Sequence, residues 1–276
     1  LVSSNLEDLQ KKGNPETKLA ETVKAAVVGL AQDVGVVMLE GPPLFSCNDE
    51  SIDSSVVLAK ALEAKVLVVI PFTPDLSADD VVSIANLVNE QLLGVIINNI
   101  PRYRNLEVKE KLVPAIEVKG IKVLGSIPED RLMASVTVDQ IACHLGGRWV
   151  VGQEKGQNLV EYFTIGGNVM DWGVDYFSRH ANKAVIVRGN RPDLQMASLS
   201  TPTSCLVLTE GSDPIEYVYH EANMRDVPVI VVDSGTVETA EALGEIVKKA
   251  VVHHPTKFQK LVQICTASVH RGDIRG

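Results

Sequence analysis

Four apolar runs recur in the first half of the chain, and each stops at a Gly, Pro or polar loop. They read VGVVMLEGPP over 34–43, VLVVIP over 66–71, LGVIINNIP over 93–101 and IKVLGSIPED over 121–130. Short runs made almost purely of Val, Leu and Ile suit parallel strands covered on both faces. Stretches of helical spacing lie between them. That alternation predicts βαβ units with right-handed crossovers and helices layered on both faces of a sheet. In open sheets of this kind, ligands sit beyond the carboxyl ends of the strands. Yet the chain nowhere carries a GxxxxGK[ST] run, whose backbone cradles phosphate.

Element by element, Leu19, Val23, Val27 and Leu30 predict a helix over 16–32, with Pro15 just before it. Residues 34–39 read as a buried strand. A helix over 51–62 has Ser51 or Asp53 as its cap. Strand 65–70 follows. Ser77 then caps a helix running to about Leu92, with Ile84, Leu87 and Val88 on its inner face. Strand 93–98, a helix near 105–117, strand 121–125 and a helix near 137–145 complete this half. Residues 146–159 hold four glycines among polar residues and are expected to be a domain boundary. Beyond it the alternation resumes. Strands are expected at 159–164, 183–187, 204–208 and 227–232, with helices near 168–179, from Pro192, over 214–224 and over 236–250. Phe258, Leu261, Val262 and Cys265 give the tail a helical spacing. The expected domains are therefore 1–147, 148–252 and a helical tail at 253–276.

A length of 276 residues fits one large or two ordinary domains, and 45% hydrophobic residues can fill their cores. A net charge of −9 without a Lys/Arg cluster, and only 4% aromatics, argues against a nucleic-acid partner. No apolar run approaches the roughly 20 residues that span a bilayer. No signal peptide is read. The expectation is a cytoplasmic protein with no membrane partner. Cys47, Cys143, Cys205 and Cys265 are scattered without a CxxC and read as reduced thiols. Cys143 and His144 are adjacent but cannot face one ligand from a helix, and the histidines show no metal spacing. The first residue is Leu1 rather than Met, which suggests a segment upstream.

Taken in order, VVMLEGPP, LAKALEAKVLVVI, LLGVIINNIP, VLGSIPED and TVDQIACHLGG resemble a P-loop ATPase domain over roughly 34–147. The type is dethiobiotin-synthetase-like (BioD-like) or cobyrinic-acid-synthase-like. The pieces NLVEYFTIGGNVM, AVIVRGNRPDLQMA, LVLTEGSDP and VPVIVVDSGTVETAEAL resemble a DRTGG domain. This pairing is similar to the amino-terminal regulatory region of long phosphate acetyltransferases. The resemblance implies an α/β fold: a parallel-sheet, P-loop-NTPase-like domain truncated at its amino terminus, then a smaller α/β DRTGG-like domain. It places the P-loop before Leu1 and an acetyltransferase domain after residue 276. It also implies a homo-oligomer, a dimer. The chain departs from the pattern at three places. Asn190 stands where an acidic residue is expected, Glu210 where a glycine is expected, and Gly41-Pro42-Pro43 replaces a glycine-rich switch.

The resemblance also nominates residues. Glu40 and Gly41 end the first run. In the resembled ATPases an acidic residue there helps hold Mg²⁺ near the γ-phosphate, whose hard ion wants oxygen ligands. The plainer reading is a strand-end carboxylate capping the next loop. Asn98 offers a donor and an acceptor to an adenine edge, with Ile127 and Pro128 packing on the base. Otherwise Asn98 bonds its own turn before Pro101. Gly189, Asn190, Arg191 and Asp193 form a strand-to-helix turn. Arg191 and the first helical N–H groups suit an anion, or Arg191 pairs with Asp193 or Glu210. Pro192 suits the first helical turn and Asn190 its cap. Thr209, Glu210, Gly211 and Asp233 end neighbouring strands and complete one crevice, unless Asp233 or Ser234 simply caps helix 236–250. No motif names a nucleophile or a general acid.

Three functions follow. The first is a regulatory and oligomerising module that senses a nucleotide without hydrolysing it. The second is an ATP-dependent ligase or ATPase whose P-loop lies upstream. The third is a purely structural dimerisation unit. The implied cofactor is ATP with Mg²⁺, or another adenine nucleotide.

Overall fold

The computed structural model describes residues 21, 23–27, 29, 36–41, 56, 58–167 and 173–270. The chain divides into two compact units, Leu1–Glu129 with Ile264–Gly276, and Asp130–Gln263.

The first unit is built on three parallel strands, β1 (Val66–Pro71), β2 (Leu92–Ile100) and β3 (Val123–Pro128), in the order β1-β2-β3. Between β1 and β2 runs α1 (Ala78–Val88). Ser77 caps it with a capping box: Oγ accepts from Asp80 N at 3.2 Å, and Ser77 N donates to Asp80 Oδ2 at 2.9 Å. The buried face of α1 is Val81, Ala85 and Val88, whereas Leu87 is 43% exposed. Of the expected Ile84/Leu87/Val88 set, Val88 is buried and Ile84 packs against the core, and Leu87 alone turns outward. Between β2 and β3 the helical stretch has three parts: α2 (Asn105–Glu107), a π turn (Val108–Leu112) and α3 (Val113–Val118). Val68, Ile70, Val95, Ile97, Val108 and Ile116 join α1 in one core. The far edge of β3 receives a short antiparallel bridge, Gly125 to Val269, and His270 N donates to Leu124 O at 2.9 Å.

The first expected strand is a correction. Residues 36–41 have no regular structure, and Val36 and Met38 are 79% and 87% exposed. An apolar run becomes a strand only where a neighbour takes up its N–H and C=O groups. Among the described residues β1 pairs on one side only, with β2. The expected helices over 16–32 and 51–62 are helical at the described positions 21, 23–27, 29, 56 and 58–61. Pro15, Leu19, Leu30, Pro42, Pro43, Cys47, Ser51 and Asp53 lie outside the described residues.

The second unit is a five-stranded sheet. β4 (Val136–Thr137) pairs with β6 (Leu159–Val160) in a small antiparallel ribbon beside it. The sheet order is β5-β10-β9-β8-β7, from β5 (Arg148–Val151), β7 (Tyr162–Gly166), β8 (Lys183–Arg188), β9 (Thr203–Thr209) and β10 (Val229–Val231). All neighbours are parallel except β5, which lies antiparallel on β10. Period-two alternation sends Ala184, Ile186, Cys205, Val207 and Ile230 to one face. There they meet α4 (Val138–Leu145) and α8 (Thr236–Ile246). Val185, Val187, Leu206, Leu208 and Val229 point to the other face. That side is covered by α5 (Gly173–Ser178), α6 (Pro192–Leu199) and α7 (Glu216–Met224). The result is a three-layer α/β/α unit.

The glycine-rich stretch 146–159, expected as a boundary, lies inside this unit, and three of its four glycines are packed against neighbours. Gly146 is the left-handed C-cap of α4 at φ +61°. A Cβ on Gly147 would sit 2.3 Å from Ile230 Cγ2, and one on Gly156 would sit 1.9 Å from Asp139 Oδ1. The units instead divide between Glu129 and Asp130.

Two lysines are buried in the second unit. Lys183 Nζ donates to Thr201 Oγ1 at 2.9 Å and to Pro202 O at 2.8 Å. Lys257, at the start of α9 (Pro255–Ser268), donates to Ser135 O at 2.8 Å and Val251 O at 2.6 Å. Burial pushes the Lys183 ammonium down to about 8 and lowers Lys257 as well. Cys143, Cys205 and Cys265 are free thiols, and full burial pushes Cys205 far up. No described helix is long and apolar enough to cross a membrane.

Candidate functional site

In the first unit, Asn98, Ile127 and Pro128 meet at the carboxyl ends of β2 and β3. Asn98 pairs with Pro71 in the ladder and Ile100 with Pro128. The Asn98 carbonyl accepts from Phe72 N at 2.7 Å. Its half-buried side chain makes no hydrogen bond among the described residues, so the self-bonded turn is not formed. Glu40 and Gly41 are exposed and outside any strand, so Glu40 does not end a strand as expected. Among the described residues no group of three or more His, Cys, Asp or Glu side chains could hold a metal ion. A groove of about 330 Å³ does exist in this unit. It is lined by residues including Lys109, Glu117, Ser126, Thr266 and His270, none of them nominated from sequence. Its wall includes the π turn, for which the sequence carries no signal.

The second unit gathers its nominated residues far more tightly. Three parallel strands end together, and their loops are cross-linked. Gly189 N donates to Thr209 O at 3.1 Å, Glu210 N to Ser234 O at 3.0 Å and Gly211 N to Val232 O at 2.9 Å. Gly189, Asn190, Arg191, Asp193, Thr209, Glu210, Gly211 and Asp233 therefore share one end of the sheet. Gly189 has no room for a side chain, since a Cβ would lie 2.5 Å from Ser212 Cβ. Gly211 is left-handed at φ +66°, and so is Glu210 at φ +67°.

Asn190 does not cap α6. The N-cap is Arg191, without a side-chain cap bond, and Pro192 takes the first helical position as expected. Neither Asp233 nor Ser234 caps α8, whose N-cap is Gly235. Ser234 Oγ lies 2.8 Å from Thr239 Oγ1 instead, and Thr209 Oγ1 lies 3.1 Å from Thr236 Oγ1. The turn after β8 is held by a residue that sequence reasoning missed. Gln195 is fully buried, and its Nε2 donates to Arg188 O at 2.9 Å and Gly189 O at 3.0 Å. The available signal was a glutamine directly after Leu194 in the first turn of α6.

The electrostatics are self-paired. Arg191 grips Asp193 with two bonds, Nε to Oδ1 at 2.9 Å and Nη2 to Oδ2 at 2.7 Å. The hydrogen bond from Arg191 holds the Asp193 carboxyl below its usual range, and the same pair raises Arg191. Arg188, also missed, meets Glu210 through Nε to Oε1 at 3.0 Å. Arg148 pairs with Asp213 in the loop after β9. Three guanidinium groups therefore stand around the crevice, each already on a carboxylate. An anion entering here must displace one, and exposed pairs of this kind are worth only about 0–1 kcal/mol.

A three-layer unit with a parallel sheet and a loop-built crevice at its carboxyl edge is the class this region defines. More particularly, residues 140–246 match the DRTGG domain family, so the second unit holds a DRTGG domain. The match opens inside α4 and closes at the end of α8. Among solved structures, the chain is similar to the CBS and DRTGG domains of the regulatory region of Clostridium perfringens pyrophosphatase, complexed with the activator diadenosine tetraphosphate. The identity is 12%, the TM-score 0.36, and the alignment covers 65% of this chain and 72% of that one.

Proposed function

We propose that the chain is a regulatory module whose second unit senses an adenine nucleotide through its phosphates. The carrying observation is the convergence of three arginines and three cross-linked strand-end loops at one edge of a parallel sheet. Guanidinium groups suit phosphate oxygens, and this edge is where open α/β sheets bind ligands. The DRTGG domain supports the regulatory half of the reading, through its resemblance to phosphate acetyltransferase regulatory regions. On the same reading the first unit is a BioD-like domain, an acetyltransferase domain is the partner, and the module is a cytoplasmic homodimer. No ATP turnover is expected, because the lysine and backbone cradle that position and neutralise phosphate lie nowhere in these residues.

The test is a thermal-shift panel of ATP, ADP, AMP, diadenosine tetraphosphate, cyclic dinucleotides and acetyl-CoA, each with and without Mg²⁺. At about 100 times its Kd, a ligand adds about 2.7 kcal/mol. A shift that Arg188→Gln abolishes supports the site. A panel without any shift rejects it. Sedimentation showing only monomer at tens of micromolar rejects the dimer.

A second reading rests on Asn98, whose side chain is open at the ends of β2 and β3. An ATPase or ligase that reads adenine there would lose ATP affinity in Asn98→Ala and be indifferent to Arg188→Gln.

A further inference from the structure

We infer that Glu210 is a built-in competitor for the ligand phosphate. Its carboxylate occupies the Arg188 guanidinium and sets how much polyphosphate is needed to fill the crevice. The inference rests on the nucleotide-sensing reading above and adds the residue that tunes it.

Three observations carry it. First, Glu210 stands at φ +67°, a left-handed conformation that strains an ordinary residue and that glycine adopts freely. Two backbone bonds fix this geometry, Glu210 N to Ser234 O and Gly211 N to Val232 O. The backbone thus favours glycine, and what the glutamate adds is a carboxylate at the mouth of the crevice. Second, the two arginines flanking the Gly189 turn are held differently. Arg191 is gripped twice by Asp193, two residues away. Arg188 is paired with Glu210 through a single contact, with the two side chains 59% and 41% exposed. The Arg188 pair is therefore the exchangeable one. Third, the exchange conserves its chemistry. A phosphate oxygen accepts from the same guanidinium N–H that Glu210 now uses. The displaced carboxylate is exposed enough to swing into water, but it remains close to a polyanion and repels it.

The experiment titrates the full chain with inorganic tripolyphosphate and with ATP at low salt, by calorimetry. The proteins are wild type, Glu210→Gln, Glu210→Gly, Arg188→Gln/Glu210→Gln and Glu154→Gln. Glu154 is exposed beside β5 at the opposite end of the parallel strands, so it reports the effect of net charge alone. Glu210→Gln and Glu210→Gly are expected to bind both probes about three- to fivefold more tightly, the range an exposed ion pair supports. The gain should vanish in the double variant and with added salt, and be absent in Glu154→Gln. Glu210→Gly should also unfold at a higher temperature. If wild type binds and Glu210→Gln binds no more tightly, or gains no more than Glu154→Gln, the competitor role is overturned while nucleotide sensing stands. If no protein binds either probe, both fall together.

Discussion

Two apolar runs of nearly the same composition meet opposite fates. VGVVML at 34–39 leaves Val36 and Met38 in water, whereas VPVIVV at 227–232 supplies β10, with Val229 and Ile230 fully buried. The residues do not distinguish them. The neighbours do: β10 has β9 on one side and β5 on the other. A hydrophobic run states what a segment tolerates, and ladder partners decide what it becomes.

That contrast can be broken or sharpened by experiment. The largest effect should come from Ile230→Ala, which empties a site in the closed core and should cost about 3 kcal/mol in urea unfolding. Met38→Ala should stay within about 0.5 kcal/mol. Equal losses would mean that the 36–39 segment is packed in solution.

The next effect separates the units by pH. Among the described residues, buried lysines occur only in the second unit. Burial lowers Lys183 from 10.5 to about 8 in the folded state, so between those values the unfolded chain binds more protons. Stability of the second unit should therefore rise with pH across that window, by up to about 3 kcal/mol. Lys183→Met should flatten the rise, and a slope unchanged by this substitution would show that Lys183 is not the source.

Gly147→Ala tests whether 146–159 is packed or a linker. The new methyl meets Ile230 and should cost about 1–3 kcal/mol, whereas a linker would accept it freely. Loss of a helix cap should be alike in the two units. Ser77→Ala and Thr137→Ala each remove a capping box and should each cost about 1 kcal/mol.

Much of this architecture is legible in the chain. The β1–β3 and β7–β10 runs, the Ser77 cap, Pro192 at a first helical turn and the Arg191–Asp193 pair all follow from local rules. What local rules miss depends on distant partners. The glycines of 146–159 look like a hinge until Ile230, Pro228 and Asp139 are seen pressed against them. Leu87 of α1 turns outward because β1 and β2, not the helix, choose which residues are covered. Gln195 reads as an ordinary polar residue until the carbonyls of Arg188 and Gly189 turn towards it. At the crevice the sequence named Arg191 and missed Arg188, because Glu210 reaches Arg188 from the neighbouring strand.

The single antiparallel strand of the five-stranded sheet also has a consequence for the order of events during synthesis. β7, β8, β9 and β10 each pair with the strand made just before or just after, so their contacts close as the chain lengthens. β5 is made first of the five, yet its partner is β10, made last. Residues 148–151 must wait unpaired while the rest of the sheet is assembled, because long-range pairing closes slowly. Pulse-labelled hydrogen exchange during refolding should find β8 and β9 protected before β5. Until then that early strand is the exposed edge most open to the wrong partner.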